Sequence, residues 1–134
     1  MRIFSFTNRV VIDTNVIVSA LISPNGSSAK FMADVFDQKY EVVITEQILA
    51  EYTEVLHRSK FQIDEDIIHF VISWFSSNSL FVEIDESDYP KEEMPDSKDA
   101  PFYVAARCTG ALLVTKNIKH YPVTEWRTMI WEML

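Results

Sequence analysis

The strongest constraint on the fold is a repeated pattern: a short run of β-branched residues followed by a segment with helical spacing. Val10–Ile12 and Val42–Ile44 are two such runs. Further strands are predicted at 80–84 and 111–114, and a fifth at 129–131. Strands that alternate with helices join through right-handed crossovers into a parallel sheet covered on both faces. We therefore predict an α/β fold: a three-layer α/β/α sandwich around a mainly parallel central sheet of four to five strands.

The helices between these strands can be placed from their end signals. A helix is predicted over 28–38. Thr45 is a suitable N-cap for a second that runs to about residue 57, and Asp64 begins a third. Pro101 in the first turn and Gly110 after the last turn bracket a fourth. In the helix after Asp64, helical spacing predicts five inward-facing residues: Ile67, Ile68, Val71, Ile72 and Phe75.

Length and composition fit one globular domain over residues 1–134. The chain is 48% apolar and 24% charged, and no window approaches the roughly 18 consecutive apolar residues of a membrane helix. The first residues lack a signal-peptide pattern. Cys108 is the only cysteine, which excludes an internal disulfide and an all-cysteine zinc site. We expect a soluble, cytoplasmic protein without membrane contact.

The net charge limits the kind of partner. Twelve Lys and Arg residues against twenty Asp and Glu residues give a formal charge of −8. A protein that neutralises phosphates with its own cations would be basic, so the charge fits a basic protein partner or bound cations better. Nucleic acid is not excluded, because metal ions can supply a local positive field.

Acidic and polar residues follow the predicted strands where ligands bind in open α/β sheets. Asp13 ends the first strand, and Thr115 with Asn117 ends the fourth, so both positions lie on the carboxyl edge. Asp96 and Asp99 precede the helix that starts near residue 100. Such a cluster of hard oxygen ligands is what Mg²⁺ or Mn²⁺ requires.

Glu51 lies in the helix after Thr45, close to the edge of its apolar arc, so it leans toward the core more than Glu46 or Glu54 does. Each acid also has a simpler interpretation. Asp13 and Asp99 can be helix caps, Asp96 a solvated loop residue, and Glu51 the ion-pair partner of Arg58 or Lys60. Unrelated caps explain poorly why separate segments direct acids to one edge.

Four ordered segments resemble the motifs of the PIN-domain nucleases. The first is Val11-Ile12-Asp13-Thr14-Asn15, and the second is the helix containing Ala50-Glu51-Tyr52. The third is Asp96-Ser97-Lys98-Asp99, and the fourth is Leu113-Val114-Thr115-Lys116-Asn117 with His120-Tyr121-Pro122. The resemblance covers nearly the whole chain, and the most similar subgroup is the VapC-type ribonucleases of toxin–antitoxin pairs.

The resemblance implies a PIN-like fold and metal-dependent hydrolysis of RNA phosphodiester bonds. Asp13, Glu51 and Asp99 would be the catalytic acids that hold one or two Mg²⁺ or Mn²⁺ ions, with Asp96 as an additional metal ligand. An RNA substrate, a cognate antitoxin protein and a homodimer are the implied partners. The residues implied to hold the carboxylates and the attacking water in place are Asn15, Thr115, Asn117 and His120.

The fourth motif departs from the pattern of many relatives, in which it carries another aspartate. This chain has Asn117 and His120 there. Neutral ligands hold Mg²⁺ less tightly, and a histidine ligand would favour Mn²⁺. His120 is more simply interpreted as a loop residue hydrogen-bonded to the backbone. The departure therefore leaves open one metal or two, and it leaves as an alternative a catalytically weakened PIN-like module that binds protein or RNA.

Other classes fit less well. A phospho-receiver domain would need two adjacent acids after the first strand, whereas Asp13 stands beside Thr14. A sugar- or nucleotide-binding domain would show a glycine-rich phosphate loop, and this chain has only two glycines. The cations near the predicted edge, each a candidate phosphate contact or an ordinary surface residue, are Lys98, Arg107, Lys116 and Lys119.

Overall fold

A computed structural model of the chain describes residues 8–89, 94, 97–122 and 130–133. Strands and helices alternate along the chain as the sequence pattern predicts. The strands are β1 (Arg9–Ile12), β2 (Glu41–Ile44), β3 (Leu80–Phe81), β4 (Leu112–Thr115) and β5 (Ile130–Glu132). The helices are α1 (Thr14–Ile22), α2 (Ser27–Phe36), α3 (Glu46–Leu56), α4 (Glu65–Asn78) and α5 (Ala100–Thr109).

The five strands form one parallel sheet in the order β3-β2-β1-β4-β5. Val10 pairs with Val42 on one side and with Leu112 on the other. The chain therefore builds outward from β1 in one direction and then, from β4 onward, in the opposite direction. The strand order reverses between β1 and β4, which is where α/β sheets bind ligands.

The three inner strands are buried on both faces. Val11 and Ile12, whose side chains point to opposite sides of the sheet, both have no exposed surface. A parallel sheet needs helices on both faces to be buried in this way. The predicted α/β/α sandwich is thus confirmed. Each helix in the described part of the chain is too short or too polar to cross a lipid bilayer.

The predicted helix ends are confirmed by local contacts. The Thr45 hydroxyl accepts a hydrogen bond from the Ile48 amide at 3.0 Å, and the Asp64 carboxylate accepts one from the Asp66 amide at 3.2 Å. Gly110 closes α5 with φ +69°, in the left-handed region that favours glycine. Pro101 lies in the first turn of α5, where its missing N–H is not needed.

Two expectations from periodicity are wrong. The predicted strand at 80–84 pairs only as Leu80–Phe81, at one edge of the described sheet. After the Val82 amide bonds the Ile44 carbonyl at 3.0 Å, the chain leaves the sheet. Ile67, predicted to face inward, is 45% exposed. The apolar stripe of α4 is therefore wider than the surface that the core covers.

Candidate metal centre

An open cleft of about 630 Å³ lies at the carboxyl ends of β1 and β4, at the point where the strand order reverses. Three acidic residues from separate segments line it: Asp13 after β1, Glu51 in α3 and Asp99 before α5. The prediction that these acids meet at one sheet edge is therefore met by the fold. Asp96 lies outside the described residues.

Asp13 is buried, and its carboxylate is held by side chains from the end of β4 and the turn beyond it. Oδ2 accepts hydrogen bonds from the Thr115 hydroxyl and the Tyr121 hydroxyl, both at 2.8 Å. The side-chain nitrogen Nδ2 of Asn15 lies 3.5 Å from the same oxygen. Although Asp13 occupies the N-cap position of α1, its side chain makes no capping hydrogen bond. The interpretation of Asp13 as a simple helix cap is therefore wrong.

Glu51 is joined to the residue that follows Asp13. Its Oε2 accepts a hydrogen bond from the Thr14 hydroxyl at 2.8 Å. Burial raises the pKa of Glu51, the Thr14 bond opposes that shift, and the negative charge of Asp13 adds to it. Arg58 instead makes two hydrogen bonds to Glu54, at 2.7 and 2.9 Å. The alternative in which Glu51 is the ion-pair partner of Arg58 is not what the fold adopts.

Asp99 is 9% exposed and ends a short turn, Ser97–Asp99, that leads directly into α5. Its side chain makes no capping hydrogen bond to that helix. Asp99 Oδ2 lies 3.1 Å from Nδ1 of His120, and Nε2 of His120 lies 2.8 Å from the side-chain nitrogen of Asn117. His120 thus contacts a carboxylate of the cleft rather than the backbone group that the sequence interpretation favoured.

The polar residues of the fourth motif form a connected network with Asn15. The side-chain oxygen Oδ1 of Asn15 accepts a hydrogen bond from the backbone amide of Lys116 at 3.1 Å. The Thr115 hydroxyl accepts one from the Asn117 amide at 3.0 Å while it donates to Asp13. The structure therefore brings together Asn15, Thr115, Asn117 and His120, the four residues expected to hold the acids in place.

Two buried tyrosines beside the acids were missed by the sequence analysis. Tyr52 donates a hydrogen bond to the Ile12 carbonyl, and Tyr121 donates to Asp13. Burial raises the pKa of Tyr121 well above its usual value, and the charges of Asp13, Asp99 and Glu51 add to the effect. The negative charges of all three acids therefore influence the hydroxyl of Tyr121. Both tyrosines lie within the quoted motifs, and a buried tyrosine hydroxyl usually has a hydrogen-bond partner. Their place in the sequence could therefore have indicated contacts with the acids.

The donor atoms fit a hard divalent cation, because the described residues that line the cleft include three carboxylates and neither cysteine nor methionine. Within the described ranges, no group of three or more Asp, Glu, His or Cys side chains is arranged as a metal site. Mg²⁺ keeps several of its water ligands and commonly uses only one or two carboxylates. The acids therefore suit a cation whose coordination is completed by water.

Positive charge is arranged around the rim of the cleft. Arg58, Lys98 and Lys116 line it together with the acids. Of the other two expected cations, Arg107 lies over the Tyr103 ring at 5.9 Å, and Lys119 is exposed in the turn after β4. Two of these three rim cations were expected from the sequence; the third, Arg58, was not, and it lies just after the end of α3.

The chain is similar to known proteins both in sequence and in fold. A sequence model of a family described as PIN domain matches residues 9–119. Among solved structures, the chain is similar to the crystal structure of VapBC2 from Rickettsia felis bound to a DNA fragment from their promoter. The TM-score is 0.56 at 20% identity, over 83% of this chain and 89% of that chain. At this identity the likeness concerns the fold. No curated protein sequence matches the chain.

Proposed function

Because the chain belongs to the PIN domain family, we propose that it is a metal-dependent endoribonuclease and the toxin of a type II toxin–antitoxin pair. The observation that carries the proposal is the convergence of Asp13, Glu51 and Asp99 from three segments on one cleft, at the place where the strand order reverses. Unrelated capping or surface roles do not account for this convergence, because neither aspartate makes a side-chain capping hydrogen bond to the helix that follows it.

The carboxylates would hold Mg²⁺ or Mn²⁺, as one or two ions. When bound, such a cation activates water for attack on phosphorus and neutralises charge that develops on the phosphate. Asp13 would be fixed for this task by Thr115 and Tyr121, and Glu51 by Thr14. A bound cation would also relieve the repulsion that Glu51 experiences from Asp13.

An RNA strand would be held by the rim. Arg58, Lys98 and Lys116 lie on the wall of the cleft that holds the acids, so a phosphate near the cation would come close to positive side chains. The chain as a whole is acidic, with a net charge of −8. We therefore infer weak, metal-dependent binding of RNA, confined to this cleft.

The proposed partners are a basic antitoxin and a second copy of the chain, in the cytoplasm. The acidic net charge favours a basic protein partner. For the homodimer, the support is an apolar surface on α4, where Ile67 and Phe70 are 45% and 56% exposed. Phe36 packs against Phe70 and Trp74 at that surface, with ring centroids 5.6 and 5.2 Å apart. Light scattering of the purified chain would give the mass of a dimer.

A second function is favoured by one observation. The fourth motif carries Asn117 and His120 in place of an acid, and the two side chains contact each other at 2.8 Å. With fewer carboxylates, the centre would hold a cation less tightly. The alternative is therefore a catalytically weakened PIN-like module that binds RNA or protein, and it predicts RNA binding without cleavage.

A cleavage assay on labelled RNA tests the two functions. We expect cleavage with Mn²⁺ or Mg²⁺, none with EDTA, and none in an Asp99→Asn variant. Asp66→Asn is the matched control, because Asp66 is an exposed aspartate in the first turn of α4. Cleavage by Asp66→Asn and not by Asp99→Asn supports the nuclease. Cleavage that persists equally in EDTA or in Asp99→Asn contradicts it, and binding without any cleavage favours the weakened module.

A further inference from the structure

One oxygen of Asp13 receives two buried hydroxyl groups. Tyr121 and Thr115 are 1% and 0% exposed, and both hydroxyl oxygens lie 2.8 Å from Oδ2 of Asp13. Both hydroxyls donate to this oxygen. Thr115 is fixed in this role because its oxygen already accepts from the Asn117 amide at 3.0 Å. The two donors together fix the orientation of the carboxylate.

Tyr121 is held in place by packing and by the turn that precedes it. Its ring stacks on Tyr103 of α5 with centroids 6.3 Å apart, and its amide bonds the Ile118 carbonyl at 3.1 Å. The Ile118 amide in turn bonds the Glu132 carboxylate of β5 at 2.9 Å. The position of the hydroxyl is therefore set by α5 and β5 together rather than by solvent.

We propose that Tyr121 is a positioning residue for the cation centre: its hydroxyl, with that of Thr115, holds the Asp13 carboxylate in one orientation before the cation binds. The proposal rests on the proposed function, because the cation is that of the nuclease. Donors that orient a ligand raise metal affinity, since the ligand loses less freedom on binding. A hydroxyl does this without adding a further negative charge to a cleft that already holds three acids.

The direct test is Mn²⁺ titration calorimetry on the wild type and on Tyr121→Phe. The substitution removes one oxygen and keeps the ring and its stacking on Tyr103. We expect the dissociation constant for Mn²⁺ to rise about tenfold, the lower end of what loss of an orienting group costs. Cleavage of RNA should recover at saturating Mn²⁺, because Tyr121 acts on the cation site rather than on the substrate.

The matched control is Tyr40→Phe. This substitution also removes one tyrosine hydroxyl, but Tyr40 lies just before β2, at the edge of the sheet opposite to the cleft, and its ring packs on Phe31 with centroids 5.1 Å apart. This variant should leave the Mn²⁺ dissociation constant unchanged. Equal weakening of Mn²⁺ binding in both variants would show that the effect does not depend on the bond to Asp13, and that result would overturn the proposal.

The second hydroxyl gives an independent test that does not depend on the tyrosine. Thr115→Val should weaken Mn²⁺ binding as Tyr121→Phe does, whereas Thr115→Ser keeps the hydroxyl and should retain binding. An Mn²⁺ dissociation constant that is unchanged in Tyr121→Phe and Thr115→Val overturns the positioning role even if the wild type cleaves RNA. If the wild type binds Mn²⁺ and the variants weaken it but no RNA is cleaved, the positioning role stands and the proposed nuclease falls. A wild type that binds no Mn²⁺ contradicts both.

Discussion

Two acids of the cleft and the exposed acids are contacted by different kinds of group. Among the exposed acids, Glu54 pairs with Arg58 at the rim of the cleft and Glu41 pairs with Arg9 away from it, at 2.7 and 2.6 Å. In the cleft, Asp13 and Glu51 receive hydrogen bonds from the neutral hydroxyls of Tyr121, Thr115 and Thr14. The exposed acids are thus matched by opposite charges, where matching contributes little to stability, whereas Asp13 and Glu51 are held by neutral hydroxyl groups.

The difference suggests what each region is for. Exposed ion pairs typically contribute about 0–1 kcal/mol, so the exposed pairs add little to the stability of the fold. A neutral donor orients a carboxylate but leaves its negative charge in place. The charge that remains in the cleft is available to a cation from solution, which would neutralise it on binding.

The largest expected effect comes from removing a charge of the cleft. Asp13→Asn keeps the shape of the side chain and an oxygen for the Tyr121 and Thr115 hydroxyls, so the protein should fold with a similar thermal midpoint. RNA cleavage should fall by more than about 100-fold. That factor is the largest loss typical of residues that only hold a metal ligand in place, and Asp13 would be a ligand itself. Single-turnover cleavage with circular dichroism as a folding control measures this. Full cleavage by the variant would place the chemistry elsewhere.

A pair of variants in one helix compares the two regions directly. Burial and Asp13 raise the pKa of Glu51, so the folded state holds a proton there more tightly than the unfolded state does. Its ionised form therefore opposes folding once the pH exceeds the raised value. Glu51→Gln should raise the thermal midpoint at pH 7 without metal.

The matched variant is Glu54→Gln in the same helix. The Arg58 guanidinium lowers the pKa of Glu54, so this carboxylate favours folding slightly at neutral pH, and its loss should lower the thermal midpoint a little or not at all. Scanning calorimetry at pH 7 in EDTA gives both values. Equal shifts of the same sign in the two variants would show that the cleft is not electrostatically distinct.

Thr14→Val should have a smaller effect with a distinctive pH dependence. The Thr14 hydroxyl favours the ionised form of Glu51, so removing it raises the pKa of Glu51 further. The acid limb of the pH–cleavage profile should move to higher pH, and the free energy of unfolding should fall by about 1 kcal/mol. A profile that keeps its acid limb would mean that Glu51 does not need to be ionised.

The smallest effect is expected on the outer surface. The carbonyl of Thr53 and the carboxylate of Glu65 raise the pKa of His57, which is exposed. Protonated His57 thus favours folding below its unfolded pKa of about 6.5, and the benefit disappears as the pH rises through the folded value. His57→Gln should be slightly less stable at pH 5.5 and equal to the wild type at pH 8. Chemical denaturation at the two pH values tests this.

The sheet and the convergence of the acids could be predicted because they depend on local patterns. Strand runs that end in Asp13 and Thr115 define the carboxyl edge, and the end signals of α5 place Asp99 at its start. The inward lean of Glu51 could be predicted because this residue lies beside the apolar face of α3. Each of these inferences needs only the period of the structure and the direction of the strands.

The contacts between distant segments could not be predicted in this way. The bond from Thr14 to Glu51 requires the relative placement of α1 and α3, and the bond from Tyr121 to Asp13 spans 108 positions. Arg58 reaches the rim only because α3 ends beside the cleft. Side-chain packing decides such contacts, and the sequence pattern does not contain it.

The central claim is that the acids at the β1–β4 edge form a site for a divalent cation. The most direct measurement is Mn²⁺ titration calorimetry on the wild type and on Asp13→Asn, with Mg²⁺ in parallel. The account predicts saturable binding to the folded wild type and loss of that binding in the variant. Equal binding by both proteins, or no binding by the wild type at millimolar metal, would contradict it.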